Sequence, residues 1–207
     1  MRELRMKSKG LLLVVSGPSG AGKGTICKAL IEKNPNVVLS VSATTRAPRN
    51  GEIEGVSYYF KSEQQFKEMI ANDELLEWAA FCSNYYGTPK KYVEKMLQEG
   101  KDVILEIDVQ GALKVRSKYP EGIYIFILPP SMEELKSRIT NRGTESQEVI
   151  NERLNTARLE FTHINKYNYI IINDRLEDAV KDLEAIIIAE KCRIERSQEI
   201  IKEVCNI

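Results

Sequence analysis

The first apolar run of the chain, Leu11-Leu12-Leu13-Val14-Val15, has no polar residue inside it and stops at Ser16-Gly17-Pro18. Three further runs are similar: Val103 to Ile107, interrupted only by Glu106, Ile123 to Leu128 and Tyr169 to Ile172. Unbroken runs of this length suit strands covered on both faces, as in a parallel sheet between helix layers. Helical spacing predicts α-helices over 25–33, 63–72, 91–98, 132–142 and 147–161, and a long final helix from Leu176 to about Val204. In that last helix Ala179, Leu183, Ile186, Ile187 and Glu190 recur at three-four spacing. Ser62 with Gln65, and Ser131 with Glu134, read as capping boxes at helix starts. Alternating strands and helices predict an α/β fold, a parallel sheet flanked by helices in a doubly wound arrangement.

Two stretches break the alternation. Residues from about 41 to 86 are rich in Thr, Tyr, Gly and Arg and carry short strand-like pieces such as Ser57-Tyr58-Tyr59-Phe60. A second, Arg-rich stretch covers about 138–158. We read one domain over 1–207, with a core of about 10–40, 90–137 and 159–207, a substrate-binding insert at about 41–89 and a lid at about 138–158. Inserts of this kind hold substrates or close over them.

Composition narrows the function. At 207 residues and 43% apolar content the chain can bury a core without disulfide staples. Lys plus Arg balances Asp plus Glu at 30 each, so no basic excess points to nucleic acid. The cysteines Cys27, Cys82, Cys192 and Cys205 are far apart and form no CxxC pair, and one histidine, His163, completes no zinc spacing. Reduced thiols and the lack of a signal-peptide core or an apolar run of membrane length predict a soluble, cytoplasmic protein without membrane or nucleic-acid partners.

The candidate chemistry begins where the first strand ends, in Ser16-Gly17-Pro18-Ser19-Gly20-Ala21-Gly22-Lys23-Gly24-Thr25. G-x-x-x-x-G-K between a buried strand and a helix is a phosphate-binding loop (P-loop): glycines turn backbone N–H groups toward an anion, and Lys23 reaches the β and γ phosphates. The competing reading is a glycine-rich turn with a surface lysine, which the flanking strand and helix disfavour. Residues Gly17, Pro18, Ser19, Gly20, Ala21, Gly22, Lys23, Gly24 and Thr25 are therefore assigned to nucleotide phosphates. Gly24 stands where a Mg²⁺-touching hydroxyl is usual, so the metal contact is expected through water.

Further motifs follow in order: Ser42-Ala43-Thr44-Thr45-Arg46-Ala47-Pro48-Arg49, Gly51-Glu52, Tyr58-Tyr59-Phe60, Glu77-Trp78-Ala79, Asn84-Tyr85-Tyr86-Gly87-Thr88, Glu106-Ile107-Asp108-Val109-Gln110-Gly111 and Arg142-Gly143-Thr144. Their order and spacing over roughly 10–190 closely resemble guanylate kinase, and the resemblance makes the nucleotide of the P-loop ATP. Arg46 and Arg49 make a fork for phosphate oxygens. The resemblance gives Arg46, Arg49, Tyr58 and Tyr86 to the acceptor's phosphate, and Glu77 to the N1–H and N2–H donors of guanine. It gives Ser42 and Thr88 to O6 and N7. Singly, the tyrosines read as packing, Glu77 as a solvated charge, and Ser42 and Thr88 as turn residues. Glu106 and Asp108, two apart on a predicted strand, leave on one face; the resemblance places them at GMP and at the Mg²⁺ hydration shell, with Asp108 on the metal side.

In the lid, the resemblance assigns Arg142 and Arg153 to ATP and the moving phosphate, and Asn173 to the adenine side. Arg138 and Arg158 also read as solvated helix surface. With Lys23 and Arg46, Arg142 and Arg153 form the expected catalytic set. The reaction implied is ATP + GMP giving ADP + GDP, with dGMP accepted and Mg²⁺ as cofactor. Homo-oligomerisation and the role of the tail, 192–207, stay open. The rivals are an adenylate- or uridylate-specific kinase, which Glu77 argues against, and a non-catalytic guanylate-kinase-like scaffold module, which the intact Gly17, Gly22 and Lys23 argue against.

Overall fold

β1 (Leu12–Ser16) is the middle strand of a five-stranded, all-parallel sheet; the computed structural model describes residues 9–81, 83–140 and 146–206 of the chain. Its neighbours are β7 (Asp102–Glu106) and β8 (Ile123–Leu128), with β2 (Val37–Leu39) and β9 (Tyr169–Ile172) at the edges. The pairing Val15↔Glu106 and Ser16↔Phe126 brings the carboxyl ends of the three central strands to one edge. Ligands of open α/β sheets bind outside that edge.

Both faces of the sheet are covered, as the unbroken apolar runs require. Leu13 and Val15 pack toward α1 (Lys23–Lys33) and α7 (Leu176–Lys191), joining Ile26, Leu30, Ile125, Ala179 and Leu183. Leu12 and Val14 point the other way, to α3 (Lys90–Gln98) and α4 (Val109–Lys118), joining Val93, Leu97, Ala112 and Val115. Each such fully buried side chain contributes roughly 1.5–3 kcal/mol by leaving water, which fixes the strand ends on which the site is built.

A second, four-stranded sheet forms the insert, in the order β4 (Tyr59–Phe60), β3 (Ala43–Thr44), β6 (Asn84–Pro89), β5 (Leu75–Phe81). Its small core holds Ala43, Phe66 and Leu75 under α2 (Glu63–Ala71). The capping box at Ser62 forms in full: its hydroxyl accepts from Gln65 N at 3.1 Å, and Gln65 Oε1 accepts from Ser62 N at 2.9 Å. At Ser131 only half forms. Its hydroxyl caps Glu134 N at 3.1 Å, but the Glu134 carboxylate turns to Arg138 Nε at 2.7 Å. α5 (Met132–Thr140) and α6 (Gln147–Phe161) share a separate cluster of Leu135, Ile139, Ile150 and Leu154, so this pair reaches past 138–158 at both ends.

The long final helix is a correction: it breaks after Lys191. A 3₁₀ turn at Ile194–Arg196 intervenes before α8 (Gln198–Cys205). The cause is Glu190, 2% exposed, which accepts from Tyr169 Oη at 2.6 Å and draws Arg193 and Arg196 onto itself at 3.5 and 3.3 Å. Those pairings fold the tail back toward the core. α4 and strands β2, β5 and β6 carried no signal in the hydrophobic pattern. Cys27 is buried and free, Cys192 and Cys205 are exposed and free, and Cys82 lies outside the described residues. No helix among the described residues is long and apolar enough to cross a membrane.

Candidate functional site

The P-loop leaves β1 at Ser16 and enters α1 at Lys23. Gly17 has φ +140°, and a Cβ there would lie 2.3 Å from Ile127 O. Gly22 has φ +90°, and a Cβ would lie 2.2 Å from Asn173 Nδ2. Asn173 is 7% exposed and donates to Ala21 O at 2.7 Å, while Arg138 Nη2 donates to the Asn173 carbonyl at 3.0 Å. The loop is thus clamped from the end of β9. In Gly22→Ala a left-handed φ alone costs about 2 kcal/mol. The thermal midpoint is expected to fall by about 4–8 °C in calorimetry, and an unchanged midpoint would show that this clamp is slack.

α1 starts at Gly22 without a side-chain cap and has no acidic residue in its first turn. Its first N–H groups and its positive dipole end are therefore free to take an anion. Lys23 Nζ donates to Gly17 O at 2.6 Å and Pro18 O at 3.1 Å. Burial lowers its pKa, and the fields of Glu106, then Glu160, then Cys27 and Asp108 oppose that shift. Gly24 faces the Glu106 carboxylate: a Cβ there would stand 3.3 Å from both oxygens. Thr25 is exposed on α1. From α6, Arg153 Nη2 donates to Ser19 Oγ at 2.6 Å, so one of the two expected lid arginines touches the P-loop. The other, Arg142, lies outside the described residues.

The second half of the site is a cavity of about 170 Å³ lined by Ser42, Tyr58, Glu77, Tyr86, Glu106 and Asp108, among others. β5 carries Glu77 and β6 carries Thr88 across from it. The Thr88 hydroxyl donates to Glu77 Oε1 at 2.7 Å, and the pair is buried, at 1% and 8% exposure. Burial pushes the Glu77 carboxyl up, and the Thr88 hydrogen bond works against that shift. A Cβ at Gly111 would stand 3.2 Å from Glu77 Oε2 and 3.3 Å from Asp108 Oδ1. The Glu77 carboxylate therefore rests close against the first turn of α4, where a side chain at 111 would crowd it.

Asp108 reaches this cavity by a different route from the one its spacing predicts. β7 ends at Glu106, and Asp108 is the N-cap of α4, its Oδ1 accepting from Gly111 N at 2.7 Å. Strand alternation thus does not place the pair. The turn at Ile107 does, and both still line the cavity. The Arg46 guanidinium lies 5.4 Å from the Tyr58 ring centroid and donates to Glu52 Oε1 at 2.7 Å and Ala47 O at 2.7 Å. Tyr58 and Tyr86 meet edge to face at 6.2 Å. Glu52 also accepts from Arg49 N at 2.7 Å, while the Arg49 side chain is exposed.

The sequence profile of the guanylate kinase family matches residues 9–190. A guanylate kinase of Caldanaerobacter subterraneus subsp. tengcongensis is 59% identical over 97% of this chain and 98% of its own length. One from Clostridium perfringens strain SM101 is 57% identical over 98% of this chain and 94% of its own. The chain belongs to the guanylate kinase family. The crystal structure of guanylate kinase from Anaplasma phagocytophilum superposes with a TM-score of 0.77 at 36% identity, covering 97% of this chain and 98% of that one. The chain is accordingly a kinase with the α/β fold that its strand pattern predicts, and the scaffold-module alternative falls.

Sequence reasoning passed over four residues. Glu52 holds Arg46 while standing in the quoted Gly51-Glu52 motif. Glu160 is half-buried near Lys23 and Asp108, with its carboxyl pushed up to about 7 by burial. It shares a face of α6 with Arg153 by its seven-residue spacing, a signal that was present. Ser16 Oγ and Tyr167 Oη are buried hydroxyls that lie near one another at the end of β1, and nothing in a sequence reports that.

Proposed function

We propose how individual residues carry out the ATP:GMP phosphoryl transfer that goes with this family. One observation carries the assignment: Glu106 borders Gly24 of the P-loop and also lines the cavity holding the buried Glu77–Thr88 pair. An ATP site and a guanine site thus meet at one carboxylate, at the carboxyl edge of the sheet.

The P-loop amides, the α1 N-terminus and Lys23 take the ATP phosphates, and Arg153 approaches them from α6. Guanine enters the cavity with N1–H and N2–H donating to Glu77, while Thr88 and Ser42 face its acceptors. Arg46, Arg49, Tyr58 and Tyr86 hold the acceptor phosphate, and 2′-deoxy GMP fits the same contacts. Phosphoryl transfer needs little covalent help from the protein. It needs two anions held in line and their charge neutralised. Lys23 and the arginines do this without reorganising during the reaction. Closure of α5 and α6 over the nucleotide keeps water from taking the phosphoryl group.

Mg²⁺ fits the donor set. Among the described residues no three His, Cys, Asp or Glu side chains converge tightly enough to cage a metal, and Gly24 offers no hydroxyl. Mg²⁺ keeps several waters and is held by one or two carboxylates plus substrate phosphates. Asp108, with one oxygen in the α4 cap, would hold it through water, and the ion would supply charge neutralisation at the phosphates.

Trp78, the sole tryptophan, follows Glu77 on β5, and its ring, against Tyr85 and Lys114, reports on the strand that carries Glu77. Its emission is expected to change saturably with GMP and to stay flat with ATP alone. A flat response to GMP, or an equal response to ATP, would move the guanine site elsewhere.

A further inference from the structure

We propose that Lys114 is a positioning residue for guanine selection. It fixes β5, the strand carrying Glu77, against α4, the helix on which that carboxylate rests. The inference builds on the reading of Glu77 as the guanine acceptor.

Lys114 stands on the exposed side of α4, yet its ammonium is engaged twice. Nζ donates to Trp78 O at 2.7 Å and lies 5.4 Å from the centroid of the Trp78 ring. Trp78 is the residue after Glu77, so the carbonyl that Lys114 holds is one peptide away from the Cα that aims the carboxylate. A charge-assisted bond to a backbone carbonyl restrains the strand itself, not only a side chain. The ring contact restrains the same residue a second way.

The place matters because β5 is irregular there. Its pairing with β6 slips between Leu75 and Trp78, so the ladder alone does not set the rotation of Glu77. Gly111, one helical turn before Lys114, lets Glu77 Oε2 come close to α4: a Cβ there would stand 3.2 Å from it. A small rotation of β5 therefore drives the carboxylate into α4 or withdraws it from the cavity. One turn further along α4, Lys118 pairs with Asp73 at 3.3 Å, and Lys90 pairs with the same carboxylate at 3.2 Å. That tie holds the start of the strand but lies away from Glu77. Lys114 also adds positive field at Glu77, which favours its ionised, accepting form.

The test compares GMP with inosine monophosphate, which keeps N1–H and lacks the 2-amino group. The preference for GMP thus measures how well Glu77 is aimed at both donors. Lys114→Met keeps the aliphatic stem and removes the donor. It is expected to raise KM for GMP about fivefold, as for loss of part of one charge-assisted bond, and to shrink the GMP-over-IMP preference in kcat/KM. KM for ATP and kcat should stay within about twofold, Lys114→Arg should restore the preference, and Lys118→Met should not disturb it. A purely structural role would lower activity with both acceptors alike and leave the preference intact, which overturns the proposal. Glu77→Gln, measured in parallel, separates the two levels. If it abolishes the preference while Lys114→Met does not, only the positioning role fails. If neither moves it, the guanine reading of Glu77 fails as well, and the proposal with it.

Discussion

Lys23→Met is expected to lower kcat by about 10²–10³-fold or more, as removal of one preorganised charge from a transition state does, while circular dichroism stays at the wild-type spectrum. Two contacts explain why the fold survives. Lys23 Nζ donates to the carbonyls of Gly17 and Pro18, both buried, so its loss costs about 1–3 kcal/mol locally and leaves the packed sheet untouched. The clamp that sets the loop's shape, Asn173 on Ala21, does not involve Lys23. The ammonium's role is instead electrostatic. Burial works against its charge, and the carboxylates around it, Glu106 first, oppose that effect. ATP affinity should fall less than turnover, since the α1 N-terminus and the loop amides still bind the phosphates. A folded variant with wild-type turnover in a coupled assay of ADP release would remove Lys23 from the mechanism.

The central sheet was legible because its strands are buried on both faces. Four continuous apolar runs announce β1, β7, β8 and β9, and each lies within a residue of its predicted place. β5 and β6 escaped notice because the insert's core is small. Glu77 and Tyr86 serve a cavity while Trp78 and Tyr85 pack against each other, so no clean apolar alternation emerges. α4 escaped for a related reason. Its N-cap is Asp108, and its first turn spends Gly111 on room for Glu77. Residues read only as chemistry were also punctuation. The opposite error occurred at the C-terminus, where helical periodicity continues through Lys191 but a buried charge, Glu190, recruits Arg193 and Arg196 and turns the chain. Long-range ties such as Arg153 to Ser19, Asn173 to Ala21 and Lys114 to Trp78 connect residues 134, 152 and 36 positions apart. No local pattern encodes such a pairing.

Glu77→Ala carries the second large effect. A carboxylate accepting N1–H and N2–H makes two charge-assisted bonds, each contributing roughly 1.5–3 kcal/mol, so kcat/KM for GMP should fall about 10²–10⁴-fold. The loss also strands the Thr88 hydroxyl, 1% exposed, without its partner at 2.7 Å. KM for ATP should stay near the wild-type value, because Glu106, and not Glu77, borders the P-loop at Gly24. Adenine should gain nothing. Its N1 is an acceptor, and deleting the carboxylate supplies no donor, so AMP remains a poor acceptor in both proteins.

The most direct test is therefore a coupled assay of ADP formation with GMP, AMP, UMP and CMP in turn, run on the wild type and on Glu77→Ala. The account predicts turnover with GMP far above the other three in the wild type, and collapse of that preference in the variant at unchanged KM for ATP. Equal turnover of AMP and GMP by the wild type, or a variant that keeps its GMP kinetics within about twofold, would contradict it.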